Sequence, residues 1–172
     1  MGSLDQVDAG ADLEPLTAQV TRSKRRKKTA EASLNGGLVD IRIPASSSAA
    51  EERHFVEHFL ARFERSRRAE LVDLFERAER LARRYGLPTP ASIRWVSNQR
   101  HRWASCTPAD GSIRLSDRMV SFPSWVIDYV IVHELAHLVE IGHTDRFWAL
   151  VDAYPRAERA KGYLQAKAEH PS

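Results

Sequence analysis

The stretch Asp128-Tyr-Val-Ile-Val-His133-Glu134-Leu-Ala-His137-Leu-Val-Glu140-Ile-Gly142-His143 decides how the rest of the chain is read. His133, Glu134 and His137 stand in HExxH spacing, and His143 follows after a short gap. Residues four apart on a helix share a face one turn apart, so the two imidazoles can meet on one metal ion. Glu134 projects roughly a quarter-turn away, where a carboxylate can hold a water on that metal. Gly142 reads as a helix stop that turns the chain back and offers His143 as a third ligand.

The surroundings support this reading. From Trp125 to Val139 the sequence is apolar almost all round, which predicts a buried helix. The competing reading is a pair of core histidines satisfied by hydrogen bonds. Two buried imidazoles, a carboxylate and a third histidine are costly to hide without a metal. Three protein ligands leave a fourth position open, the pattern of catalytic rather than structural zinc. The expected chemistry is attack of a metal-activated water on a peptide bond, with Glu134 as the general base. Glu140 is the rival third ligand. A rigid helix would set its backbone on the order of 10 Å from His133, too far to converge, so His143 is preferred and Glu140 is read as a partner for an imidazole N–H.

Working outward, 172 residues with 42% hydrophobic content suit one compact α+β domain with flexible flanks. The expected layout is an acidic, disordered tail over 1–16, one domain over 17–168 and a flexible end over 169–172. No apolar run reaches the roughly 18 residues of a membrane span. No basic segment followed by an apolar one opens the chain, and the single Cys106 excludes an internal disulfide. A cytoplasmic protein is the default expectation. The net charge is +3, but six positive charges fall in Arg22-Ser-Lys-Arg-Arg-Lys-Lys28. That run is either a solvated surface or a contact for nucleic acid or an acidic partner.

From about Val20, two strands are expected around Asn35-Gly36-Gly37, the second from Leu38 to Ile43 with Val39, Ile41 and Ile43 on one face. Ser48 with Glu51 forms a capping box opening a helix whose stripe is Phe55, Val56, Phe59, Leu60 and Phe63. A second helical pattern runs from Leu71 to Tyr85 and stops at Gly86. Ser92–Val96 and Ser112–Ser116 read as strands, separated by a loop carrying Trp103 and Cys106. Helices are expected at Asp145–Ala153 and from Arg156 to about Lys167. Hairpin, helices, two strands and helices make an α+β order with a small sheet and the metal site on a buried central helix.

A second metal-like string, His54-Phe-Val-Glu57-His58, lies on an amphipathic helix with both histidines beside its apolar stripe, and is read as a chance match. Cys106 has no second cysteine at ligand spacing. Trp103, Trp125, Phe147 and Trp148 fall on separate elements and read as core rather than as a platform for bases. His101 and Tyr154 are candidates for stabilising an oxyanion.

Three passages resemble the YgjP-like metallopeptidases, zincins related to the SprT-like and WLM proteins. They are Arg102-Trp103-Ala104-Ser105-Cys106 with the following Gly111-Ser-Ile-Arg-Leu-Ser116, the helix Tyr129–His137, and Gly142-His143-Thr144 with Phe147-Trp148. The resemblance runs from about Val20 to Tyr163. It implies a zincin-like fold, one Zn2+ per chain held by His133, His137 and His143, Glu134 as catalytic base, and a protein or peptide substrate. Ala104 stands where the family has glycine, and Gly142 where it has asparagine; neither change removes a ligand. In zincins the strand before the metal helix borders the cleft, which predicts that Ser112–Ser116 pairs with an extended substrate. Two other functions remain open: a nucleic-acid-associated module using the basic run, and a zinc-stabilised scaffold without catalysis. Retention of Glu134 favours catalysis, since a scaffold needs ligands and no base.

Overall fold

The computed structural model describes residues 13–99 and 101–169. The expected disordered tail lies outside the described residues up to position 12, as does the C-terminal end from 170. Contacts divide the chain into two compact units, residues 1–71 and 72–172.

In the first unit, Leu16 is buried and three strands follow: β1 (Thr17–Ser23), β2 (Glu31–Asn35) and β3 (Leu38–Pro44). Their order is β1-β3-β2, with β1 parallel and β2 antiparallel to β3. The expected hairpin is present. Gly36 (φ 54°) and Gly37 (φ 91°) make the left-handed two-residue turn that matches strand twist. The separate strand β1 is not legible in the sequence, because its burial alternates only weakly and its place is set by β3. Val39, Ile41 and Ile43 are fully buried and cluster with Phe59 of helix α1 (Ala49–Glu70). The capping box forms as expected: the Ser48 N–H donates to Glu51 Oε2 at 2.7 Å, and the Glu51 N–H to Ser48 Oγ at 3.2 Å.

The basic run is split by this fold. Arg22 donates to the Ala45 and Ser47 carbonyls and pairs with Glu52, and Arg26 pairs with Glu31. Lys24, Arg25, Lys27 and Lys28 are exposed on the connection between β1 and β2. Two of the six cations thus hold the unit together and four face solvent.

The second unit holds α2 (Leu74–Tyr85), β4 (Ser92–Val96), β5 (Ala104–Thr107), β6 (Ser112–Ser116), α3 (Ser124–Ala136), α4 (Asp145–Val151) and α5 (Ala157–Glu169). Helix α2 starts at Leu74, behind an Asp73 cap that accepts from the Glu76 N–H, and ends on left-handed Gly86. Leu71, expected inside this helix, instead closes α1. Sheet order is β4-β6-β5: β6 runs parallel to β4 and antiparallel to β5. Ile113 and Leu115 of β6 are fully buried among Ile131, Val132 and Leu135 of α3 and Phe147 and Val151 of α4. Arg77 ties α2 to α3, its Nε donating to Asp128 at 2.7 Å and a second nitrogen to the Ser124 carbonyl at 2.7 Å. No helix among the described residues is long and apolar enough to cross a membrane.

The sheet order corrects one expectation. The presumed loop around Cys106 is strand β5, so Ser112–Ser116 is the central strand with both edges already paired. A substrate strand cannot add to β6. The sheet's edges are β4 and β5.

Candidate metal centre

Helix α3 delivers His133 and Glu134, and its ending delivers the other two histidines. The expected stop at Gly142 is not what ends it. Regular helix gives out at Ala136, His137 caps it in right-handed conformation, and the next turn tightens. Leu138 and Val139 donate to carbonyls three residues back, and Glu140 to the Ala136 carbonyl at 2.9 Å. Gly142 is absent from the glycines of positive φ. A tightened turn, with no left-handed residue, brings residues 140–143 back toward the helix.

The result is a convergence of three imidazoles. One ring nitrogen from each of His133, His137 and His143 lies within 4.8 Å of the other two. His133 Nε2 and His143 Nε2 are 3.3 Å apart. Two nitrogens bound about 2.0–2.1 Å from one tetrahedral ion stand about 3.3 Å apart, so the pair is already at ligand spacing. His137 Nδ1 lies 3.1 Å from the Glu140 carbonyl oxygen. A carbonyl only accepts, so Nδ1 carries the proton and Nε2 keeps its lone pair. Glu140 therefore does hold an imidazole N–H, through its main chain and not its carboxylate. The donor set, three nitrogens with one position left over, fits an open zinc site.

Phe147 of α4 is the residue that sequence reasoning assigned only to the core. Fully buried, its ring centre lies 4.9 Å from His133, 4.4 Å from His137 and 4.7 Å from His143. One phenyl ring thus backs all three imidazoles and limits their rotamers. Thr144 caps α4 by accepting from the Phe147 N–H at 3.3 Å, which ties that ring to the residue after His143. Trp148 packs 5.5 Å from the His143 ring. The signal was available in the short spacing between His143 and Phe147, but only the turn into α4 makes it meaningful.

Glu134 is 6% exposed. Burial pushes its carboxyl up to about 7, against a smaller downward pull from the Arg102 charge. His133 is driven down to about 3, first by burial and then by its two histidine neighbours. Its imidazole stays neutral through the physiological range, the form that binds metal. The Cys106 thiol is raised to about 11 by burial, then by the charges of Glu134 and Asp110, so it remains a protonated small residue.

Other candidates are sorted by their surroundings. The Tyr154 hydroxyl donates to the Trp125 carbonyl at 2.9 Å and its ring packs on Tyr85 and Tyr129, which commits it to structure. His101 is exposed and lines a polar cleft with Asn98, Gln99, Arg102, Ser105 and Arg114. His54 and His58 are exposed on α1 with ring centres 6.3 Å apart. Among the described residues they join no group of three metal-ligating side chains, while His133, His137 and His143 do. Trp103 packs on Phe122 and Trp125 on Tyr163, in separate places.

No curated protein sequence matches the chain. Among solved structures it is similar to the metallopeptidase zymogen abylysin of Pyrococcus abyssi, at 22% identity and a TM-score of 0.49, over 55% of this chain and 93% of that one. The family described as "YgjP-like, metallopeptidase domain" matches residues 16–167, a span that includes the histidine triad, Glu134 and the strands beside them. The chain belongs to the YgjP-like metallopeptidase family.

Proposed function

We propose that the protein is a zinc-dependent peptidase in which His133, His137 and His143 hold one Zn2+ and Glu134 is the general base. The observation that carries this reading is the convergence of three ring nitrogens within 4.8 Å, next in sequence to a carboxylate that is almost fully buried. When bound, the ion supplies Lewis acidity toward a carbonyl oxygen and lowers the pKa of a water. The chain's own residues do the rest. Glu134, held near neutrality by burial, takes the proton of the attacking water and returns it to the leaving amine. The Glu140 carbonyl fixes the tautomer of His137. Phe147 and the apolar face of α3 keep bulk water from the back of the site.

Strand β5 is the proposed partner of an extended substrate. The Ser116 N–H donates to the Trp103 carbonyl at 2.8 Å, and alternation along an antiparallel ladder then turns the main-chain groups of Ala104 and Cys106 toward the outer edge. Methylating single backbone nitrogens along a cleaved peptide should raise KM with a period of two. A flat response would remove β5 from this role.

The experiment for the site itself is metal analysis with loss and return of cleavage. One zinc per chain, cleavage of an unfolded protein abolished by a chelator and restored by Zn2+, is the expected result. A chain that purifies without zinc and cuts equally well with the chelator present contradicts the reading.

A further inference from the structure

The outer face of the second unit's sheet carries a feature that the peptide-hydrolysis chemistry does not use. Residues alternate across β4, β6 and β5, so Ile93, Ile113 and Cys106 share the register row that faces α3. The next row, Arg94, Arg114 and Ser105, lies on the opposite face. Together with the loop before β5, that face forms a cleft of about 400 Å³ lined by Asn98, Gln99, His101, Arg102, Ser105 and Arg114. Among the described residues, two guanidinium groups and an imidazole line it, and no carboxylate does. Asp110, whose charge reaches Arg114, is engaged in its own turn, where it accepts from the Ser112 N–H at 2.9 Å. Neither Arg102 nor Arg114 makes an ion pair or hydrogen bond with another side chain among the described residues.

A second observation points the same way. The Gln99 amide is held at one end, Nε2 donating to Ser105 Oγ at 2.6 Å, while its Oε1 is buried without a partner among the described residues. A hydroxyl serves as donor or acceptor, so turning the amide over keeps that bond and frees two N–H groups. Ser105 retains a hydroxyl hydrogen in the present arrangement. As placed, Oε1 lacks a donor, which an anion cannot supply; with the amide turned over, the N–H groups that take its position can donate to an anionic oxygen in the cleft.

We propose that this cleft is an acidic-residue subsite, receiving an Asp or Glu side chain of the polypeptide substrate on Arg102 and Arg114. The proposal rests on the peptidase reading above. Arginine forks suit carboxylates, and a recess of this volume takes one or two side chains. A nucleic-acid strand would call for a longer groove with stacking platforms. The cleft adjoins the metal centre through β5: Ser105 lines the cleft, and the next residue, Cys106, faces the layer that holds Glu134. The charge of Arg102 also reaches the Glu134 carboxylate. Acidic residues close to the scissile bond are therefore the class selected.

Binding separates this proposal from catalysis. The full-length Glu134→Gln protein is titrated into a fluorescein-labelled decapeptide of alternating Glu and Ser, its Gln-for-Glu counterpart, and a ten-nucleotide oligothymidylate. The Glu peptide should bind about tenfold more tightly than the Gln peptide, the ratio that one charge-assisted contact gives. Arg114→Gln or Arg102→Gln should bring that ratio close to one, and Arg114→Lys should retain part of it; thermal melting checks that each variant is folded. Equal binding of the two peptides, a ratio unchanged in both Gln variants, or tighter binding of the oligonucleotide than of the Glu peptide overturns the subsite. Failure of the peptidase reading shows elsewhere, as wild-type protein that leaves an unfolded substrate uncut.

Discussion

At the scale of single residues, the site turns on which side chains converge and which charges they carry. His143 and Glu140 compete in the sequence for the third ligand place, and the fold gives them different work. The imidazole of His143 points at His133, while Glu140 contributes its carbonyl oxygen to His137. His143→Ala should therefore lower zinc affinity by at least a hundredfold, and Glu140→Ala should change it by less than about threefold, both measured by competition with a chromogenic chelator. The reverse order would return the third place to Glu140. Glu134 adds a pH signature to the metal-free protein. Its folded value is about 7 against an ordinary 4.5, so between these the unfolded chain has released a proton that the folded chain retains. Stability falls as pH rises through that window and levels off above it, a loss of about 3 kcal/mol. His133 acts oppositely: its folded value of about 3 against 6.5 removes stability as pH falls from near 6.5. Comparing urea unfolding of metal-free wild type and Glu134→Gln cancels the histidine contribution. The variant should be the more stable at pH 8, with the gap closing by about pH 4.5; a gap independent of pH would mean that Glu134 is not buried as described.

At the scale of elements, the legible parts of the chain are those set by near neighbours. The capping box at Ser48 and Glu51, the turn at Gly36-Gly37 and the His133–His137 spacing each need only a few consecutive residues, and each forms as read. Strand β5 could not be read this way. Ala104-Ser-Cys-Thr107 alternates only small residues, too weak an apolar signal to mark a strand, and its extended form comes from pairing with β6. The end of α3 was misplaced for a related reason. The glycine at 142 is a familiar stop, but bonds to carbonyls three residues back close the helix earlier, from Ala136 onward. Helix α4 was expected, while its role behind the site depends on a ring contact that spacing alone does not reveal. Phe147→Ala should cost about 3–5 kcal/mol in unfolding free energy. It should also weaken zinc binding, since three imidazoles lose the surface that orients them. Zinc affinity unchanged in a folded Phe147→Ala protein would reduce that residue to core packing alone.

At the scale of the molecule, a single domain over 17–168 was the reading from length and composition, and the contacts fall into two units with separate apolar clusters. Composition cannot register such a division, because both clusters draw on the same aliphatic and aromatic residues. Every side chain assigned to the metal centre, to strand β5 or to the acidic-residue cleft belongs to the second unit. Residues 72–172 expressed alone should therefore fold and bind zinc with affinity within about tenfold of the full chain, as read by circular dichroism and metal competition. An unfolded fragment would show that the first unit completes the fold, in keeping with a family match that spans both.

The central claim is that Glu134 works as a base beside a metal held by three histidines. Its most direct measurement is zinc content together with cleavage of an unfolded protein, for wild type and Glu134→Gln side by side. The account predicts one zinc per chain in both, with cleavage by the variant lower by a factor of about 10² to 10⁴. Equal zinc with equal cleavage would contradict it.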